Sequence, residues 1–330
     1  MRLGIIGTGR IAGRMVKETA YADGITLCAV YNPHAGSASR FVNEICAKDH
    51  RFAQEPLRAF EDAEAFLETV DAVYIASPHE THFSYVTDAL RHGKHVLCEK
   101  PLCLSGTEAG EAYALASEKG LVLFEAIKTA YCPGFSQLLE AAKSGVIGEI
   151  RNIEACFTKL EKTDSRELTD LTYGGSFTEL GSYVLLPAIK LFGTDYEDLR
   201  FDSIRGENGL DLFTRASLTY PQGMATLTCG LRVKSEGRLL ICGTKGYLLV
   251  EAPWWKTNHF EAHFEDASRV QKYTNEFLGD GLRYELLDFL EVVRKSSKDH
   301  NHTERPAAKL TASESIAMAS IMETFLSQGT

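Results

Sequence analysis

What this 330-residue chain lacks narrows its chemistry first. No uninterrupted apolar stretch approaches the ~20 residues needed to cross a bilayer, so no membrane partner is expected. No Lys/Arg-rich run appears and the formal net charge is −10, which disfavours binding to nucleic acid or to an anionic membrane surface. The 8 cysteines are scattered and form no C-x-x-C pair. That is the pattern of free, mostly buried thiols in a reducing cytoplasm, not of a disulfide framework. There is no P-loop, no G-x-S-x-G and no H-E-x-x-H. His79 and His82 lie three apart, but no further ligand stands at matching spacing, so no metal is expected. The opening MRLGIIGTGRIAG is broken by Gly7 and Gly9 too early to read as a secretory signal.

What is present changes rhythm near residue 125. Before it, short β-rich runs alternate with helical patterns: strands at Arg2–Ile6, Ile25–Tyr31, Asp71–Ala76, His95–Cys98 and Val122–Glu125, with a weak one near Arg51–Phe52. Helices at Ile11–Tyr21, Ala35–Ala47, Thr81–His92 and Ser105–Lys119 lie between them. This alternation predicts an α/β domain with a parallel sheet. Pro78 ends the strand before it, and Ser105 with Glu108 forms a capping box. After residue 125, helices near Pro133–Ser144 and Leu180–Phe192 flank a long strand, Glu149–Leu160. Strand then follows strand from Leu199 to Phe264, with hairpin corners at LTYPQG and CGTKGY. That predicts an α+β domain on a large, mainly antiparallel sheet. Helices near Leu282–Lys295 and Thr311–Phe325 close the chain, and polar Ser296–Arg305 reads as a surface loop. The expected domains are 1–124 and 125–330, with the C-terminal helix a candidate to pack back on the first.

Gly7-Thr8-Gly9-Arg10-Ile11-Ala12 matches G-x-G-x-x-G/A directly after an apolar strand and at the head of a helix. Gly7 permits the tight turn, Gly9 lets backbone approach a pyrophosphate, and Ala12 allows close helix–strand packing. The helix N-terminus supplies N–H donors to the phosphates. The cofactor expected is therefore NAD or NADP. Asn32 closes the second strand where an Asp or Glu reads the ribose of NAD. An Asn does not repel a 2′-phosphate, and Ser37, Ser39 and Arg40 follow, so the balance tips toward NADP.

Lys100 follows an apolar strand and is fixed by Pro101, at the carboxyl end where ligands bind in open α/β sheets. A lysine there can donate to a substrate oxygen. The segments GTGRIA, SPHETH (77–82), GKHVLCEKP (93–101), FEA (124–126), IGEI (147–150), GGSFTELGSY (174–183) and GTKG (243–246) together resemble the Gfo/Idh/MocA oxidoreductase family, nearer its glucose-fructose oxidoreductase and dihydrodiol dehydrogenase branch. The resemblance spans essentially the whole chain. It implies hydride transfer between a nicotinamide and a secondary alcohol or carbonyl of a sugar, inositol or cyclic diol.

The resemblance also implies roles. Ser77, Pro78, His82, Glu99 and Lys100 join the glycine loop and Asn32 in holding cofactor. Glu179 and Tyr183, at i and i+4 on one helix face, address substrate. Tyr183 is the general acid/base and Lys100 assists it. On the residues alone, Tyr183 reads as a helix aromatic packed on the sheet. The family commonly has Asp at 179, Arg at 130 and His at 132; here they are Glu179, Ala130 and Cys132. Lys128 is a candidate to replace the lost charge, and Arg166 a candidate to reach substrate. Trp254 and Trp255 read as loop-anchored core aromatics or an oligomer contact. The C-terminal sheet is expected to make a homodimer or homotetramer. The competing reading is a non-catalytic dinucleotide-binding regulator or sensor.

Overall fold

The computed structural model describes residues 1–52, 57–298 and 308–328. The chain divides into two compact units. Unit 1 comprises Met1–Lys128 with Gly279–Ala312, and unit 2 comprises Thr129–Leu278 with Ser313–Thr330.

Unit 1 alternates strand and helix: β1 (Arg2–Ile6), α1 (Arg10–Glu18), β2 (Thr26–Tyr31), α2 (Ser37–Cys46), β3 (Arg58–Phe60), α3 (Ala63–Glu68), β4 (Ala72–Ile75), α4 (His82–Arg91), β5 (His95–Glu99), α5 (Gly106–Glu118) and β6 (Leu123–Ala126). The six strands form one sheet in the order β3-β2-β1-β4-β5-β6, every neighbour parallel. Leu3, Ile5, Val73, Tyr74, Ile75, Val96 and Leu97 are all inaccessible to solvent. Such near-continuous apolar runs are what a sheet covered on both faces selects. Successive strands run outward from β1 on one side and resume at β4 on the other. The order thus reverses between β1 and β4, and a crevice opens at their carboxyl ends. At the expected capping box the Ser105 side chain accepts the Glu108 N–H at 3.5 Å.

Arg51–Phe52 is not a strand. It ends a 3-10 turn, His50–Phe52, because the Arg51 guanidinium folds back onto Asp49 and onto the Val16 carbonyl at 2.8 Å. The edge strand is β3, which pairs through Ala29–Arg58 and Tyr31–Phe60. Helix α3, absent from the sequence reading, starts at Asp62, whose Oδ1 accepts the Ala65 N–H at 2.7 Å.

A four-residue helix, α6 (Lys128–Tyr131), opens at the boundary of the units. Unit 2 continues with α7 (Pro133–Lys143), β7 (Ile150–Thr158), α8 (Arg166–Thr169), α9 (Ser176–Phe192), β8 (Asp198–Arg205), β9 (Asp211–Tyr220), β10 (Gly223–Gly230), β11 (Leu239–Gly243), β12 (Gly246–Val250), β13 (His259–Phe264) and β14 (Val270–Thr274). Its eight strands run β14-β13-β12-β11-β7-β10-β9-β8; β7 and β10 are parallel and all other neighbours antiparallel. Both expected hairpin corners are present, between Tyr220 and Gly223 and between Gly243 and Gly246. Helix α9 packs on β7, β9 and β10.

The helix that joins unit 1 is not the last one. It is α10 (Leu282–Lys298), where Phe289 meets Phe124 edge-to-face at 5.6 Å and Arg283 pairs with Glu18 at 2.7 Å. The last helix, α11 (Ala312–Ser327), stays with unit 2 because Phe325 is wedged between Phe177 and Phe201. Of the expected loop Ser296–Arg305, the first three residues continue α10; 299–305 lie outside the described residues.

Candidate active site

In unit 1 the candidate residues gather on one edge of the sheet, the carboxyl ends of β1, β2, β4 and β5. Gly7 has φ +106°, and a Cβ there would stand 2.4 Å from the Ala76 carbonyl. Only glycine permits both the turn and the close approach of β1 to β4. Its N–H bonds the Tyr31 carbonyl at 2.9 Å, tying the loop to β2. Gly9 is the N-cap of α1, with no side-chain cap, and nothing lies within 4 Å of where its Cβ would be. An uncapped helix start facing open space is a ready anion cradle. Arg10 and Ile11 form the first turn behind it. These residues fit a dinucleotide pyrophosphate.

Asn32 is engaged on both ends of its amide. Its Nδ2 donates to Thr8 Oγ1 at 2.9 Å and its Oδ1 accepts the His34 N–H at 2.9 Å. No carboxylate therefore closes β2. Beyond it, Arg40 donates to Ser37 Oγ at 3.1 Å and lies over Gly36, while Glu61 is engaged by the Gly36 N–H at 2.6 Å.

Ser77, Pro78 and His82 lie after β4. His82 is fully buried, with Nδ1 2.8 Å from the Pro101 carbonyl and Nε2 3.0 Å from that of Ser77. The ring thus lies between the segments that follow β4 and β5. Burial, reinforced by nearby Lys100, pushes it toward the neutral form against the pull of the two carbonyls. A neutral ring donates from one nitrogen only. Among the described residues no group of three or more His, Cys, Asp or Glu is arranged to hold a metal ion.

Glu99 ends β5 as a buried carboxyl that accepts the Tyr74 phenol and, at 3.3 Å, the Lys100 N–H. Burial raises its pKa, opposed by the charges of Lys100 and Lys128 and by the Tyr74 bond. Lys100 itself is buried at the end of the strand. Lys128 is turned inward. Its ammonium donates to the Asp280 carbonyl at 3.1 Å and acts on Glu99 and Glu285.

In unit 2 the Gly-Gly segment sets the start of α9. Gly175 has φ +103°, and a Cβ there would fall 2.0 Å from Asp211 Oδ1. Gly174 would meet the Asp170 carbonyl at 2.4 Å. Their bareness lets Asp211 cap the helix: it accepts the Phe177 N–H at 2.9 Å and the Ser176 hydroxyl, with the Thr214 hydroxyl at 2.7 Å. Burial raises the Asp211 pKa against those three bonds.

The helix so placed lays Glu179 and Tyr183 over β7. Tyr183 stands edge-on to Phe157 at 5.3 Å, and Phe157 stacks on Trp255 at 3.5 Å. Glu179 lies 3.5 Å from Lys159, which pairs with Glu161 at 2.7 Å. Trp254 is fully buried and donates to the Cys156 carbonyl at 2.8 Å, a core anchor as expected. Arg166, half-exposed on α8, pairs with Asp170 at 3.0 Å, one helical turn on. Phe157 and Lys159 escaped the sequence reading. Their spacing of two, at the end of β7 and just beyond it, opposite residues i and i+4 of the helix, was the available signal.

Comparison with known proteins gives the arrangement its place. A family model described as an oxidoreductase family with an NAD-binding Rossmann fold matches residues 1–127. The model of the GFO/IDH/MocA C-terminal domain matches residues 135–249. The dTDP-3,4-didehydro-2,6-dideoxy-α-D-glucose 3-reductase of Actinomadura kijaniata is 35% identical over 75% of this chain and 74% of its own. The chain belongs to the Gfo/Idh/MocA oxidoreductase family. Other relatives in the family include the scyllo-inositol 2-dehydrogenase (NADP(+)) IolU of Bacillus subtilis, 28% identical over 98% of this chain and 95% of that protein. The trans-1,2-dihydrobenzene-1,2-diol dehydrogenase of Sus scrofa is 30% identical over 77% and 76%. Among solved structures of the family, KijD10, a 3-ketoreductase from A. kijaniata in complex with NADP and TDP-benzene, superposes with a TM-score of 0.78 at 25% identity, covering 98% of this chain and 96% of that one. Solved forms of that ketoreductase include variants with one lysine changed to alanine or glutamate and one tyrosine changed to phenylalanine.

Proposed function

We propose that this protein is an NADP-dependent dehydrogenase or reductase acting on a secondary alcohol or carbonyl of a sugar, inositol or cyclic diol. The observation that carries the reading is the open glycine cradle at the head of α1, on the same sheet edge as Lys100. The bound nicotinamide supplies the hydride acceptor or donor. Gly7, Thr8, Gly9, Arg10 and Ile11 hold the pyrophosphate, and Ser77, Pro78, His82 and Glu99 shape the edge beside it. NADP is favoured over NAD because no carboxylate closes β2, while Arg40 lies close by. Lys100 steadies the charge that develops on the substrate oxygen. Tyr183 exchanges the hydroxyl proton, and Glu179 with Lys159 supplies hydrogen bonds to neighbouring hydroxyls.

The test is cofactor absorbance with NADP(H) and NAD(H) across a panel of sugars, inositols and diols. Turnover of at least one polyol, faster with NADP(H), is expected. Tight NADP(H) binding with no turnover of any member would replace the enzyme by a dinucleotide-binding sensor, a reading that Ala130 and Cys132 favour.

The second proposal concerns assembly. Helix α9 covers one face of the eight-stranded sheet, while the other presents Met224 on β10 and Tyr247 on β12, 57% and 37% exposed, with Leu240 on the intervening β11 paired to Leu249 of β12. A second copy covering this face makes a homodimer, or a homotetramer by a further contact. Light scattering should give the mass of two or four chains, and a strict monomer at high concentration would exclude it. Among the described residues no helix is long and apolar enough to cross a membrane, and the free cysteines suit the cytoplasm as the site of action.

A further inference from the structure

Unit 1 buries more carboxyl groups than its sheet and its glycine loop require. Glu99 ends β5, Glu125 lies in β6 and Glu285 in the first turn of α10; all three are buried, Glu285 completely. Glu99 accepts from Tyr74 and from the Lys100 N–H, and Glu125 accepts the Leu102 N–H at 3.1 Å. Both side-chain oxygens of Glu285 are buried without a hydrogen-bond partner. The charged groups that reach it are Glu99 from β5, Lys128 from the start of α6 and Glu18 from α1. Glu18 is already neutralised by Arg283 at 2.7 Å. Lys100 and Lys128 act in turn on Glu99.

Glu99 and Glu285 thus act on each other, and of the lysines both Lys100 and Lys128 favour the ionised Glu99 while Lys128 alone is opposed to the two carboxylates that press on Glu285. An uncompensated charge is not sustained at this depth, so one carboxyl keeps its proton. Donors that favour the ionised form point at Glu99 and at Glu125. None points at Glu285.

We propose that Glu285 is a positioning residue: it keeps its proton in the buried space it shares with Glu99, and so leaves Glu99 ionised beside Lys100 at the end of β5. Burial, and then the neighbouring Glu99, push the Glu285 carboxyl well above the usual carboxylate range, in keeping with this. Ionising it sets two like charges in one buried space, and the end of β5 must yield. The inference rests on the proposed role of Lys100 only for its activity arm.

The sign of the pH effect follows. A carboxyl whose pKa is raised by folding contributes stability that is complete below its unfolded value, near ~4.3, and is lost as pH rises toward the folded one. Glu99 and Asp211 act in the same direction and lowered Asp71 and Asp170 in the opposite one, so the comparison is made between parent and Glu285→Gln. The variant should melt within about 1 °C of the parent at pH 5 and about 3 °C or more above it at pH 9. A protonated-carboxyl infrared band should be present in the parent at neutral pH and missing from the variant, and the alkaline fall in turnover should move to higher pH. Glu285→Met, neutral and of similar length, should fold and show the same flattened pH dependence. An equal loss of melting temperature at every pH, no carboxyl band, or failure of both variants to fold would each overturn the proposal. The melting and infrared arms need no substrate, so they decide it even if no polyol is turned over.

Discussion

Lys100→Ala is expected to lower turnover by about 100-fold or more while leaving NADP(H) affinity within a few fold. The ammonium lies at the end of β5, on the edge that carries the glycine loop, but the phosphate cradle is made by backbone at Gly7–Gly9 and does not depend on it. Binding and chemistry should therefore separate. The effect should fall on kcat and kcat/KM alike, the signature of an interaction made in the transition state. Lys100→Arg should not restore the rate. A planar guanidinium cannot take the place of a compact ammonium whose charge acts on Glu99. The buried group around Glu99 adds a second expectation: losing one cation favours protonation of Glu99 and preserves the fold. Turnover unchanged in Lys100→Ala would remove this residue from the reaction.

Tyr183→Phe should cut turnover by about 100-fold, within the range assigned to a positioned proton donor, and shift the melting temperature by no more than about 2 °C. The stability half follows from packing. The aromatic ring is what meets Phe157 at 5.3 Å, and phenylalanine keeps it. A tyrosine that only packs would show the reverse: no kinetic loss here, and a large loss of stability on Tyr183→Ala. Stopped-flow and thermal melts on the two variants separate these outcomes. A full rate in Tyr183→Phe would assign the proton exchange elsewhere.

Much of unit 1 was legible because its signals are local. The glycine loop needs strand, turn and helix in immediate succession, and the strands of a sheet covered on both faces read as plain apolar runs. What escaped was equally physical. β3 is three residues long and lies at the sheet edge, too short for any periodicity. Asp62 was a readable helix start, overlooked because α3 itself is brief. The partners of Lys128 and Arg166 were not legible from charge alone: one ammonium donates to a carbonyl 152 positions away, and the guanidinium pairs with an aspartate one turn on. The second site group was half visible. Glu179 and Tyr183 stood out through resemblance, but Lys159, Phe157 and the capping Asp211 depend on strand register and on a contact across 35 positions.

The return of α10 to unit 1 has a consequence for how the protein is made. The first unit is interrupted by residues 129–278 before its own last helix is translated. At synthesis rates of ~5–20 residues per second, the nascent sheet waits on the order of ten seconds for Phe289 to cover Phe124 and for Glu285 to reach Glu99. During that interval β5 and β6 have emerged with their carboxyls but without the helix that seals them. The burial of an unpaired acid, and the placement of the lysine beside it, are therefore among the last events of folding on the ribosome, and the cofactor edge is completed only when nearly the whole chain has been made.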